Sequence, residues 1–222
     1  MIKKAIILCG GTGSRMHPTT LSINKQLIPV YDKPMFFYPL SLLMLCGIKE
    51  YLFIINPGQK KKFQDLLEPT NDLGIKIEYI EQSKPNGLPE AFILGENFIG
   101  NDSVVLILGD NFLYGNMLTP LIKKSFNLAD GANIYLYPNK NTSAYGVVEM
   151  GKDNKIKKIV EKPKYTKSDL VIVGLYTFDK NVSKYAKTLK PSKRKELEMV
   201  DLINIYKKKE SLNLIKLGRG AA

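Results

Sequence analysis

Directly after its first apolar run the chain reads Leu8-Cys9-Gly10-Gly11-Thr12-Gly13-Ser14-Arg15, and this stretch restricts the fold more than any other. Lys4 to Cys9 has the length and character of a buried strand. The glycines that follow, Gly10, Gly11 and Gly13, let the backbone turn and bring N–H groups against anionic oxygens with no Cβ in the way. The segment lacks the Gly-Lys-Ser/Thr ending of a Walker loop and the third glycine of the dinucleotide fingerprint. Arg15 closes it with a planar, permanently charged fork. Lys25, in Asn24-Lys25-Gln26-Leu27-Ile28-Pro29, is placed to reach the same phosphates as a point charge.

A phosphate turn at the end of a strand implies a sheet whose ligands lie beyond its strands' carboxyl ends. The rest of the chain fits that plan. Helical spacing predicts helices over Met35 to Cys46, Lys60 to Leu67, Pro89 to Phe98, Leu118 to Ala129, Asn181 to Leu189 and Leu197 to Lys208. Between them, Tyr51 to Asn56 and Ser103 to Leu108 are continuous apolar runs of strand length. Lys76 to Gln82, Ala132 to Tyr137, Val171 to Phe178 and Leu212 to Leu217 are further strands. Gly146 to Met150 and Lys155 to Glu161 read as a hairpin turning at Lys152-Asp153-Asn154. Strands alternating with helices predict an α/β protein with a mostly parallel central sheet covered on both faces.

The 222 residues, 44% apolar and 24% charged, suffice for a buried core. No apolar run has the length of about 20 residues that a membrane span needs, and no signal-peptide pattern opens the chain. Cys9 and Cys46 lie in apolar stretches without a metal or redox motif, as expected of buried thiols in a cytoplasmic protein. The net charge of +12 falls entirely in residues 121–222, because residues 1–120 balance 11 basic against 11 acidic side chains. The lysines are scattered over polar faces without a Gly/Arg-rich tail, which favours phosphorylated metabolites over nucleic acid as partners. Of the 33 basic residues only Arg15, Arg194 and Arg219 are arginine, so the guanidinium fork stands out where it occurs.

Two further segments carry chemistry. Leu108-Gly109-Asp110-Asn111 puts a carboxylate just past an apolar strand, which suits Mg²⁺, an ion that takes one or two protein carboxylates and fills its shell with water and phosphate oxygens. Glu161-Lys162-Pro163, also at a strand end, pairs an acceptor for sugar hydroxyls with a cation for a sugar phosphate.

Taken in order, Gly10-Gly11-x-Gly-x-Arg15, Lys25 with Pro29, Leu108-Gly109-Asp110-Asn111, Tyr145-Gly146-Val147-Val148 and Glu161-Lys162-Pro163 resemble the sugar-1-phosphate nucleotidylyltransferases. Tyr31-Asp32-Lys33-Pro34-Met35, Gly174-Leu175-Tyr176 and Glu196-Leu197-Glu198 extend the resemblance over the whole chain, and its thymidylyl-transferring branch is the most similar. The resemblance implies a three-layer α/β/α, Rossmann-like fold with a mixed, mostly parallel sheet. It implies dTTP and glucose 1-phosphate as substrates, Mg²⁺ on Asp110, and a product that starts dTDP-rhamnose synthesis for cell-surface polysaccharide. Gln82, Gly87 and Leu88 are implied to read the base, with Gln26 beside the nucleotide. Tyr145, Gly146, Glu161, Lys162, Tyr176, Arg194 and Glu198 are implied to surround the sugar phosphate.

In the implied reaction a sugar-phosphate oxygen attacks the α-phosphorus and pyrophosphate leaves in line. The nucleophile is already anionic, so no general base is needed, and His17, the one histidine, has no part. Arg15 and Lys25 are implied to stabilise the α-phosphate and leaving group, and Lys162 to align the nucleophile. Relatives continue past Gly218-Arg219-Gly220 into a segment with a second metal carboxylate and helices used in homotetramers, whereas this chain reads to Ala222 as one nucleotidyltransferase domain, 1–222. A chain that binds nucleotide but turns over poorly is therefore the alternative expectation.

Overall fold

The computed structural model describes residues 1–153 and 155–218. Arg219 and Asn154, both singled out above, lie outside the described residues. The strands are β1 (Lys4–Cys9), β2 (Pro29–Val30), β3 (Lys33–Pro34), β4 (Glu50–Ile55), β5 (Lys76–Glu81), β6 (Val104–Leu108), β7 (Ala132–Pro138), β8 (Gly146–Met150), β9 (Ile156–Glu161), β10 (Leu170–Phe178) and β11 (Leu212–Lys216). The helices are α1 (Phe37–Leu45), α2 (Lys60–Leu67), α3 (Glu90–Leu94), α4 (Glu96–Ile99), α5 (Leu118–Ser125), α6 (Val182–Ala186) and α7 (Met199–Lys208).

The main sheet runs β11-β7-β10-β6-β1-β4-β5, and the β8–β9 hairpin hangs from β10. β6, β1, β4 and β5 are parallel neighbours, as are β11 and β7, while β10 lies antiparallel between β6 and β7. A strand in such a sheet must be apolar on both faces, which explains the unbroken runs in β1, β4 and β6. From β1, Ala5, Ile7 and Cys9 pack on one face with Phe36, Leu40, Phe63 and Ile122 of the α1, α2 and α5 layer. Ile6 packs on the other face with Phe92, Ile99, Val182 and Leu202 of the α3, α4, α6 and α7 layer. Two cores thus sandwich the sheet, giving the three layers.

Several helices are shorter than their periodicity suggests, α6 among them, which ends at Ala186 where the spacing predicts Leu189. The run from Pro89 to Phe98 divides at Gly95 into α3 and α4. A Cβ at Gly95 would stand 2.9 Å from both the Ala91 carbonyl oxygen and Leu52 Cδ2, so the backbone there lies directly on the sheet. The helix expected to reach Ala129 stops at Ser125, because Phe126 turns into the core and its carbonyl accepts from Ile2 N–H at 3.0 Å.

Parallel pairing brings the carboxyl ends of β1, β4, β5 and β6 to one edge of the sheet. β10 runs the other way with Leu175 opposite Ile107, so its first half meets the same edge, and Val171 opposite Val147 adds the hairpin beside it. Ile7 is fully buried at the sheet centre. Ile7→Val is therefore expected to cost about 0.5–1.5 kcal/mol by urea unfolding while leaving ligand binding unchanged, since Ile7 packs in the core against the α1, α2 and α5 layer and not at the strand ends.

Candidate active site

At that edge opens a cleft of about 590 Å³, within the size range of small-molecule sites. Gly10 and Gly11 line it directly. Asn56, the residue after β4, brackets Gly11: its Oδ1 accepts from Gly11 N–H at 2.9 Å and its Nδ2 donates to the Gly11 carbonyl at 3.0 Å. Gly13 stands off the cleft, where its carbonyl accepts from the Thr20 hydroxyl at 2.7 Å. The loop is thus held by side chains from outside it, and Arg15, on the short turn Ser14–Met16, projects exposed into the opening. Arg15 forms no ion pair among the described residues.

Asn24 ties the next segment to the first strand. Its Nδ2 donates to the Cys9 carbonyl at 2.9 Å, and its Oδ1 accepts from Gln26 N–H at 2.8 Å. This delivers Gln26 and Lys25 to the cleft. Gln26 is buried, and its Oε1 has no hydrogen-bond partner among the described residues, an acceptor left open at the wall. Lys25 Nζ lies 2.5 Å from Asp110 Oδ2, across 85 residues of sequence. Asp110 sits on the strand end between the glycine loop and β10, so its carboxylate is central to the cleft.

On the far side the β8–β9 hairpin and the loop before α7 gather five charges, Glu161, Lys162, Arg194, Glu196 and Glu198. Gly146 is opposite Glu161, and Lys162 N–H donates to the Tyr145 carbonyl at 2.9 Å. Lys162 adopts φ 42°, a left-handed conformation that costs a side-chain-bearing residue about 1–3 kcal/mol and recurs at functional sites. Arg194 bridges Glu198 and Glu161, with Nη2 2.5 Å from Glu198 Oε2 and 3.3 Å from Glu161 Oε1. Burial raises the Glu161 carboxyl above its ordinary value, with Lys162 pulling the other way and Glu198 adding to the rise. Burial also pushes on Glu198, but hydrogen bonds from Arg194 and Ser192 outweigh it and hold that carboxyl low. The pair therefore holds different affinities for a proton at one wall. Tyr176, buried beside them, has its hydroxyl pushed well up by burial.

Ser192 stands behind this wall. It donates to Glu198 Oε1 at 2.5 Å and accepts from Arg194 N–H at 3.1 Å. Ser192→Ala is expected to cost about 1 kcal/mol in holding Glu198, read as a several-fold weakening of ligand binding at this wall with little change at the glycine loop.

The cleft gathers Arg15, Lys25, Asp110 and Lys162. It also gathers Gln82, Gly87 and Leu88 from the segment after β5, and Tyr145, Gly146, Glu161, Tyr176, Arg194 and Glu198 from the hairpin side. Of the residues singled out in the sequence, Gly13 and His17 do not line it. Asn56, Ser192 and Glu90 hold lining residues from behind. Of these only Asn56 carries a local signal in the sequence, as a polar residue at the carboxyl end of a buried strand. Among the described residues no cluster of three or more His, Cys, Asp or Glu could by itself hold a metal ion. No helix among them is long and apolar enough to cross a membrane.

A family model described as nucleotidyl transferase matches residues 4–221. A glucose-1-phosphate thymidylyltransferase of Neisseria meningitidis serogroup A is 48% identical over 219 residues, covering 99% of this chain and 76% of that protein. The enzyme of the same name from Mycolicibacterium smegmatis is 43% identical over 219 residues, with the same coverage of 99% and 76%. Among solved structures, a Bacillus anthracis chain assigned to that activity, in complex with a sucrose, superposes with a TM-score of 0.88 at 36% identity, covering 97% of this chain and 87% of that one. A UDP-glucose pyrophosphorylase complexed with UDP-glucose, at 22% identity and a TM-score of 0.83, shares the fold. The chain belongs to the nucleotidyl transferase family and, within it, to the glucose-1-phosphate thymidylyltransferases.

Proposed function

We propose that this chain transfers a thymidylyl group from dTTP to glucose 1-phosphate, giving dTDP-glucose and pyrophosphate. The observation that carries this reading is the meeting, in one cleft, of a glycine turn bearing Arg15 and Lys25 with the Glu161, Lys162, Arg194 and Glu198 wall, and Asp110 between them. Two anionic substrates need two cationic cradles, and a reaction between them needs both in one cavity.

In the proposed assignment Gly10 and Gly11 present backbone to the triphosphate, and Gln82, Gly87 and Leu88 take the base, with Gln26 beside the nucleotide. Arg15 and Lys25 carry the charge that grows on the α-phosphate and the departing pyrophosphate. Lys162 and Arg194 hold the sugar phosphate, while Glu161, Glu198, Tyr145, Gly146 and Tyr176 enclose the sugar. An oxygen of the sugar phosphate forms the new bond to the α-phosphorus as the bond to pyrophosphate breaks. No proton needs to move, so the chain's part is to position and to neutralise. Asp110, with one carboxylate on the cleft, fits an ion that arrives with the nucleotide and needs only one or two protein ligands. Mg²⁺ held there would supply charge neutralisation at the phosphate oxygens.

The product so made is the compound from which dTDP-rhamnose synthesis begins in the family resembled above. We place the protein in the cytoplasm, consistent with the free, buried thiols of Cys9 and Cys46. Incubation with dTTP, glucose 1-phosphate and Mg²⁺ tests the reaction: pyrophosphate and dTDP-glucose should appear in equal amounts. Binding of dTTP without release of pyrophosphate would reject the transferase reading in favour of a nucleotide-binding chain that does not turn over.

A further inference from the structure

Building on the proposed use of dTTP, we propose that Glu90 sets the nucleobase preference by fixing which end of the Gln82 amide faces the cleft. A glutamine amide has a donor end and an acceptor end, and which way round it sits decides the base edges it can read. Gln82 lies on the cleft wall, and its Nε2 donates to Glu90 Oε2. A carboxylate only accepts, so the opposite amide orientation would set oxygen against oxygen. Gln82 Oε1 is left facing the glycine loop, 3.5 Å from where a Cβ on Gly10 would stand. An acceptor presented there selects a base edge carrying a ring N–H. Thymine and uracil have one at N3, whereas cytosine has a lone pair at the same atom and would meet acceptor with acceptor. The contact thus favours dTTP over dCTP and is indifferent between thymine and uracil.

The second oxygen of Glu90 reaches the sugar-phosphate side. Asn86 Nδ2 donates to Glu90 Oε1 at 2.7 Å, and the Asn86 carbonyl accepts from Leu197 N–H at 2.7 Å. Leu197 immediately precedes Glu198. The two loops touch so closely that a Cβ on Gly87, itself at φ 106°, would stand 2.7 Å from Leu197 N. Glu90 is not on the cleft wall. It is a positioning residue, which orients the base reader with one oxygen and braces the loop of Arg194 and Glu198 with the other.

The test uses the full chain with Glu90→Gln, Glu90→Ala and Glu90→Lys. Two ratios are measured: kcat/KM for dTTP over dCTP at saturating glucose 1-phosphate, and calorimetric affinity for dTDP over dCDP. Glu90→Gln offers a donor as well as an acceptor at the same reach, so it permits either orientation of the Gln82 amide and should lower both ratios, though less than Glu90→Lys. Glu90→Lys offers only donors, turns the amide around, and should lower both ratios by about tenfold or more; Glu90→Ala, which frees the amide, should fall between. Equal losses for both nucleotides in the Ala and Lys variants, or a Lys variant as discriminating as the parent, overturn the proposal. A parent protein that binds dTDP no better than dCDP overturns instead the base assignment on which it rests.

Discussion

Arg15→Ala is expected to lower kcat by about 10²–10³-fold, the loss typical when one preorganised donor to a developing charge is removed. Stability should move by no more than about 0.5 kcal/mol, as for a surface substitution that breaks no structural contact. Both halves follow from its surroundings. The side chain is exposed and forms no ion pair among the described residues, so nothing in the fold depends on it. The turn it rides on is closed by the backbone, with Met16 N–H donating to the Gly13 carbonyl at 2.9 Å, and survives truncation. In contrast Lys25 and Arg194 are already engaged by carboxylates, and part of what they offer a substrate must first be withdrawn from Asp110 or Glu198. A guanidinium held in reserve suits a charge that develops only during reaction. Arg15→Lys should recover part of the rate but not all, since the ammonium cannot bridge two phosphate oxygens as the fork does. Steady-state kinetics with thermal melts on the same preparations check this; an Ala variant with unchanged kcat would remove Arg15 from the reaction.

The parts of the site that were legible in the sequence are those that the parallel sheet forces into view. β1, β4 and β6 must be apolar on both faces, so their ends stand out. Gly10 follows β1 immediately and the Gly109–Asp110 step follows β6, the first polar or flexible residues after such runs. α2 was equally plain, because Lys60–Leu67 is amphipathic over two turns with Phe63 and Leu67 buried. What stayed hidden depends on pairing between distant segments. Nothing local to Leu170–Phe178 says that it enters antiparallel between β6 and β7, yet that insertion carries Gly174 and Tyr176 to the cleft. The contact of Lys25 with Asp110 likewise exists only once β1 and β6 are neighbours. Glu90 reads as an ordinary first-turn helix acid. Only the fold reveals that its two oxygens are spent on Gln82 and Asn86. Asn56 and Ser192 are hidden for the same reason: they hold residues that line the cleft without lining it themselves.

The Lys25–Asp110 pair separates two uses of one carboxylate, and two substitutions should drive them apart. Asp110→Asn is expected to lower turnover by about three orders of magnitude or more, since the charge neutralisation at stake is worth several kcal/mol. Its effect on folding should be far smaller. The two side chains are 30% and 25% exposed, and a partly solvated pair of this kind is worth about 1 kcal/mol or less. In a chain of this size that is a shift in Tm of about 2–4 °C. Lys25→Met should also slow turnover, by removing a cation from the triphosphate, but it leaves Asp110 without its partner. On the proposed assignment a divalent cation competes with the ammonium for the Asp110 oxygen, so the free Lys25→Met protein should bind Mn²⁺ more tightly than the parent, and Asp110→Asn more weakly. Water-proton relaxation reports this without nucleotide or turnover. If Lys25→Met bound Mn²⁺ no better than the parent, the Asp110 carboxylate would not be where the ion sits, and the pair would be a structural tie between β6 and the segment after the glycine loop.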